Sequence, residues 1–156
     1  MRKSFRVLGI CVCLSCCVAV AAFAQNPNEK YLTGADIDKV TGMKGVKLIP
    51  RMSVAGAGGD LNFADASGEL ILMVQITDAK NYDGFKKKYA KGAVSGVGDQ
   101  AFQGAIMPGM PDNVLAFTKG SRCFVLTAFG DFVKNKVYLT IDQLAAIGKL
   151  MASRLS

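Results

Sequence analysis

The chain has no histidine among its 156 residues. That absence removes the usual transition-metal ligand, the commonest general base and every Ser-His or Cys-His pairing. Close acidic pairs are scarce as well. The 12 acidic residues are scattered, and the nearest pair, Asp36 and Asp38, point to different sides of a helix. They read as a solvated first turn favoured by the helix dipole. Asp60, Asp65 and Glu69 lack the spacing of a calcium loop. No metal and no cofactor is expected, and no catalytic residue stands out.

An internal disulfide is excluded once the first 24 residues leave, so that Cys123 is a reactive thiol, a dimer link or a buried side chain. Cys11, Cys13, Cys16 and Cys17 lie within the first 24 residues, which leaves Cys123 alone in the remainder. Its setting, Arg122-Cys123-Phe124-Val125-Leu126, reads as a strand in which the thiol is a small buried hydrophobe.

What those first 24 residues contain is an address. Arg2, Lys3 and Arg6 form a basic head, Val7 to Ala24 is uncharged, and Ala22-Phe23-Ala24 is a small-x-small exit. These are the parts of a secretory signal peptide, with cleavage expected before Gln25. Left uncut, the run is just long enough to span a bilayer, but its alanine-rich end suits a peptidase. Leu14-Ser15-Cys16-Cys17 is a poor lipid-attachment site. Cys16 has Cys13 where a branched aliphatic belongs, and Cys17 has Cys16 directly before it. The expected location is the bacterial periplasm or the medium.

Charge is read after that cut. Three of the 19 basic residues leave with the signal, so 16 face 12 acidic ones, a net charge of +4. That is short of a nucleic-acid binder's footprint. The 132 remaining residues suit one domain, with residues 25–30 as a polar tether and 31–156 as the folded unit.

Helix starts are written clearly. Thr33 caps a helix with Asp36 three residues on, Leu32 and Ile37 can staple it, and Gly42 ends it. Thr140, Gln143, Leu139 and Leu144 repeat the device for a terminal helix with Leu144, Ile147, Met151 and Leu155 on one face. Gly148 interrupts that face, which implies close approach to a sheet. A middle helix is expected from about Asp78 to Lys91, with Tyr82, Phe85 and Tyr89 inward and Gly92 as its stop.

Between the helices lie strand signals. Gly45 to Met52 alternates, with Pro50 marking an edge or a strand end. Ala55 to Asp60 reads as a flexible connection, and Leu61-Asn62-Phe63 resumes a strand. Glu69 to Thr77 is apolar along one face and mixed along the other, as an inner strand would be. Ala101 to Gln103 is a further strand, and Val114–Phe117 with Arg122–Phe129 form a hairpin around Lys119-Gly120-Ser121. The fold class is therefore α+β. An antiparallel sheet of about five to six strands carries packed helices, in the order α-βββ-α-βββ-α.

Two segments invite a functional reading. Lys86, Lys87, Lys88 and Lys91 form the one charge cluster, which suits an anionic membrane or polymer or is simply the solvated face of an amphipathic helix. Gly96-Val97-Gly98-Asp99-Gln100-Ala101 matches a dinucleotide fingerprint in letters only. A lysine-rich helix precedes it and a Gly- and Pro-bearing stretch follows, where the motif requires strand and helix. A turn feeding a strand is the better reading, with Gly96, Gly98 and Asp99 beside a possible ligand. Ala55 to Gly59 lacks the Gly-Lys-Ser/Thr ending of a phosphate loop.

The segment from Gly96 to Phe102, together with Leu32-Thr33-x-x-Asp36-x-x-x-Val40-x-Gly42 and Leu115-x-Phe117-x-Lys119-Gly120, resembles small bacterial envelope domains of unknown function. The resemblance spans about Tyr31 to Leu155. It implies an α+β sandwich with a curved antiparallel sheet, distantly similar to PsbP-like domains, and it brings no catalytic residues. The expected function is a non-enzymatic binding or accessory protein of the envelope, taking an unknown small ligand or envelope partner and no nucleic acid. The alternative is a surface-interaction protein whose lysine helix touches anionic membrane or polymer peripherally. An atypical enzyme without histidine is the third reading.

Overall fold

The computed structural model describes residues 26–50, 53–54, 57–58, 60–131 and 133–155. The expected export segment and Gln25 lie outside the described residues. Three helices, α1 (Gly34–Thr41), α2 (Tyr82–Tyr89) and α3 (Ile141–Ser153), pack on a seven-stranded antiparallel sheet. Its strands are β1 (Lys47–Ile49), β4 (Leu61–Ala64), β5 (Leu70–Asp78), β6 (Ala90–Ala93), β7 (Gln100–Gly104), β8 (Val114–Lys119) and β9 (Arg122–Ala128). Across the sheet the order is β1-β4-β5-β9-β8-β7-β6. Two small ribbons stand apart, β2 (Ser53–Val54) with β3 (Ala57–Gly58), and β10 (Gly130–Asp131) with β11 (Lys136–Val137). The first ribbon occupies part of the stretch expected as a plain connection.

The α+β class is as the sequence indicates, with two adjustments. The strand count is seven rather than five or six, which makes the order through the main sheet α-βββ-α-ββββ-α, and the middle helix is shorter than expected. A 3-10 turn (Ala79–Asn81), capped by Asp78, leads into α2, which ends at Tyr89 instead of Lys91. Ala90 turns to extended geometry and starts the edge strand β6. Close packing explains the early stop. A Cβ on Gly104 of the neighbouring β7 would overlap the Tyr89 carbonyl oxygen, so the chain descends onto β7 there and pairs with it.

Alternation places the helices on opposite faces of the sheet. Leu61, Phe63, Leu72, Val74, Leu115, Phe117, Phe124 and Leu126 share a core with α1 and α3. Phe102, Val114, Ala116, Cys123 and Val125 meet α2 on the other side through Tyr82, with Phe85 and Tyr89 alongside. A bulge at Phe63/Ala64 sends Ile71 as well as Leu72 into the first core. At the far edge, Pro50 directly follows β1, as its missing N–H requires.

Both capping boxes form. Asp36 N–H donates to Thr33 Oγ1 at 3.2 Å and Thr33 N–H to Asp36 Oδ2 at 2.8 Å. Gln143 and Thr140 reproduce the pair at 3.3 and 2.9 Å. Leu32, Ile37, Leu139 and Leu144 are all fully buried. Gly148 approaches the sheet as expected, since a Cβ there would sit 2.8 Å from Leu115 Cδ2 and 2.9 Å from Val97 Cγ1.

The acids of α1 are not merely solvated, however. Asp38 accepts from the N–H groups of Gly45 and Val46, at 3.0 and 3.1 Å, and so fixes the approach to β1. Asp36 receives a two-point ion pair from Arg154 at the end of α3, at 2.8 and 2.6 Å. At the opposite end Gln143 reaches the Thr41 carbonyl at 3.4 Å, so α1 and α3 run antiparallel. The Arg154 hydrogen bonds hold the Asp36 carboxyl down at about 2, from an ordinary 3.8. A depressed carboxylate stabilises the fold above its unfolded pKa and loses that contribution as pH falls through the folded one. Between pH 5 and pH 2 the protein is expected to lose about 2 kcal/mol more than Asp36→Asn does. Urea unfolding at both pH values checks this, and equal losses would dismiss the pair as a stabilising link.

Candidate functional site

Local order around Gly96–Asp99 follows from packing against the β8–β9 turn. Val97 is buried against α3. Gly98 has φ 59°, and a Cβ on it would overlap the Thr118 carbonyl oxygen and lie 2.9 Å from Phe117 Cδ2. Asp99 N–H donates to Thr118 O at 2.7 Å, and its carboxylate accepts from Gly120 N–H at 2.8 Å. The Lys119 ammonium stands 3.4 Å away. The Gly120 amide first, and then Lys119, hold Asp99 below the usual carboxylate range. Asp99 is thus a clasp on the hairpin turn, and two of the three segments that carry the resemblance touch each other there. Beside the clasp lies a polar cleft of about 260 Å³, between the 3-10 turn and the β8–β9 turn, reached by Lys80, Asp83, Asp99 and Gln100.

The lysine cluster divides. Lys86, Lys87 and Lys88 are exposed on α2, and Lys88 Nζ rests 4.9 Å from the centre of the Tyr89 ring. Lys91 is not on the helix. It sits on β6, 2.9 Å from Asp112 and 3.1 Å from the Met110 carbonyl, holding the Pro108–Asp112 turn to the sheet edge.

A second hollow lies between α2 and the sheet, and no sequence motif announces it. It is a groove of about 100 Å³. Phe85 and Tyr89, stacked with centroids 6.4 Å apart, form its wall. Met73 and Gln75 of β5, Val125 and Thr127 of β9, and Val114 of β8 form its floor, with Ile106 at the lip. Ile106 and its neighbour Met107 are exposed apolar side chains. The available signal was the mixed second face of β5, Met73 and Gln75. What was illegible is that α2 covers only part of it.

Chemistry of the thiol kind is suppressed at Cys123. The residue is fully buried, and burial pushes its thiol up to about 11. Thiol reagent at pH 7.5 is expected to label the native protein at least about 100-fold more slowly than the urea-unfolded chain. Fast native labelling would place Cys123 at the surface. Asp60 and Asp65 serve the backbone, accepting from Ile76 N–H at 2.6 Å and from Ser67 and Glu69 N–H at 2.9 and 3.0 Å. Among the described residues no three His, Cys, Asp or Glu side chains gather as metal ligands, and no helix is long and apolar enough to cross a membrane.

Comparison with protein-family models, curated proteins and solved structures finds no match to this chain.

Proposed function

We propose that this chain is an exported, non-enzymatic binding protein of the bacterial envelope, and that its ligand lies in the groove between α2 and the sheet. The observation that carries the reading is the groove itself. It is lined by aromatic and aliphatic side chains, polar at two points, and open past Ile106, the usual composition of a small-molecule site. Its volume is below the roughly 150 Å³ of a cavity that takes benzene, so it suits an apolar group of about four carbons. Export rests on the basic head, apolar run and small exit of residues 1–24. The resemblance to envelope domains agrees with it.

Native mass spectrometry of the protein recovered from its host's envelope tests both parts. The expected species begins at Gln25 and carries a discrete adduct that Ile106→Glu, with a charge at the lip, no longer retains. An adduct kept in that variant, or none in either protein, defeats the groove. A mass that includes residues 1–24 defeats cleavage.

A second reading has its own support. Lys86, Lys87 and Lys88 are exposed together and, among the described residues, pair with no carboxylate. Such a face gains about 1 kcal/mol per lysine near an anionic surface. Salt-sensitive binding to anionic vesicles that disappears when all three are changed to Gln would favour it.

A further inference from the structure

Two asparagines among the described residues are buried, Asn62 on β4 and Asn113 just before β8, and they differ. Asn113 is fully buried and bonded at both ends of its amide: Nδ2 donates to Ala128 O at 3.1 Å, and Oδ1 accepts from Ile106 N–H at 3.1 Å. Asn62 is 1% exposed, and both its Nδ2 and its Oδ1 are buried with no hydrogen-bond partner among the described residues. Orphaned amides of this kind are rare in folded proteins, because each unmade bond forfeits solvation with no return.

Its position gives the orphan a meaning. Leu61 and Phe63 on either side belong to the α1/α3 core, so Asn62 points to the α2 face. Register places Asn62 opposite Met73, Met73 opposite Thr127, and Thr127 opposite Val114. Met73, Thr127 and Val114 are the groove floor. Asn62 is therefore the next side chain in the row that the groove follows, one strand spacing of about 4.8 Å beyond Met73, with Ile49 of β1 opposite it on the other side. Met73 is an unbranched thioether, the side chain best suited to turning aside.

We infer that Asn62 is the specificity-determining residue of the groove, and that the ligand is a small molecule with a short apolar body and a carboxamide or lactam head. The inference rests on the groove being the ligand's place. An asparagine amide offers one donor edge and one acceptor side by side. A head that satisfies both must present an acceptor and a donor in the same arrangement, which a primary amide or a cyclic amide does. An ionised carboxylate has no donor for Oδ1, and a ketone has none either. The apolar body lies over Val114 and Val125, and the head passes Met73 to Asn62.

Two probes of the same shape separate the possibilities. Pentanamide and 2-hexanone carry the same butyl chain and carbonyl, with NH2 in one where the other has CH3. Each is titrated by NMR into the 15N-labelled protein as its host exports it, following Val114, Val125 and the Asn62 side-chain amide. Pentanamide is expected to bind about tenfold more tightly than 2-hexanone and to shift the Asn62 amide signals, and Asn62→Leu is expected to abolish the preference. Equal affinities in the wild-type protein, or an Asn62 signal unmoved at saturation, overturn the inference while binding at Val114 keeps the groove. A preference that survives in Asn62→Leu also overturns it, and leaves the orphan amide to an ordered water. If neither probe moves Val114 or Val125, the groove reading falls with it. The wild-type comparison stands whether or not the variant folds.

Discussion

Phe124→Ala is expected to destabilise the protein by about 4 kcal/mol, since large-to-small aromatic changes in cores cost about 3–5 kcal/mol. Phe124 is fully buried on β9, the middle strand of the seven. Its ring stacks on Phe117 with centroids 5.0 Å apart and planes 14° from parallel, and Tyr31 meets it edge-on at 5.5 Å. Removing it empties a space bounded by β8, by the segment before α1 and by α3, and β8 cannot close on it without breaking sheet pairing. Domains of this size are stable by about 5–15 kcal/mol, so the variant would be marginal. Urea unfolding followed by circular dichroism gives the difference. Phe124→Leu keeps most of the volume, and about 1 kcal/mol is expected for it. Similar losses in the two variants would mean that the cavity does not govern the cost.

Gly98→Ala is expected to cost about 3 kcal/mol, from two sources that a neighbouring glycine separates. The left-handed backbone at φ 59° costs a non-glycine residue about 1 kcal/mol. The new methyl group would also press on the Thr118 carbonyl oxygen, which is held by the β8–β9 turn, and forced overpacking adds about 1–3 kcal/mol. Gly96 shares the positive φ, at 72°, but its nearest neighbour would be Lys149 Cε at 3.8 Å. Gly96→Ala should therefore cost only the backbone part, about 1 kcal/mol. Matching losses at the two sites would remove the close approach from the explanation.

Comparing these residues shows where local information ends. The helix starts were legible because a capping box is a matter of four consecutive residues: Thr33 and Asp36, or Thr140 and Gln143, bond to each other whatever lies around them. The burial of Cys123 was legible from its strand. Gly148 announced close packing because a glycine inside an apolar helical face is otherwise a loss. The strand β6 was not legible, since Ala90-Lys91-Gly92-Ala93 has no apolar alternation. Its geometry comes from pairing with β7, and Lys91 went with it, away from the helical cluster and onto Asp112.

The groove and Asn62 lie further still from local reading. Met73, Val114 and Thr127 stand in one row although up to 54 positions separate them in the chain. Asn62, flanked by two core residues, alternates like any half-solvated strand position, and nothing nearby in the chain says that its second face is covered. Amphipathic patterns specify that a surface must be buried and at what period, because periodicity is a property of neighbours in sequence. That is why the helix starts, their caps, the apolar strands and the α+β class were fixed residue by residue. Which face of the sheet each helix covers, how much of it, and so where a hollow remains depend on volumes and hydrogen-bond partners brought together from distant strands. Those were settled only when the sheet closed in register between α1 and α3 on one side and α2 on the other.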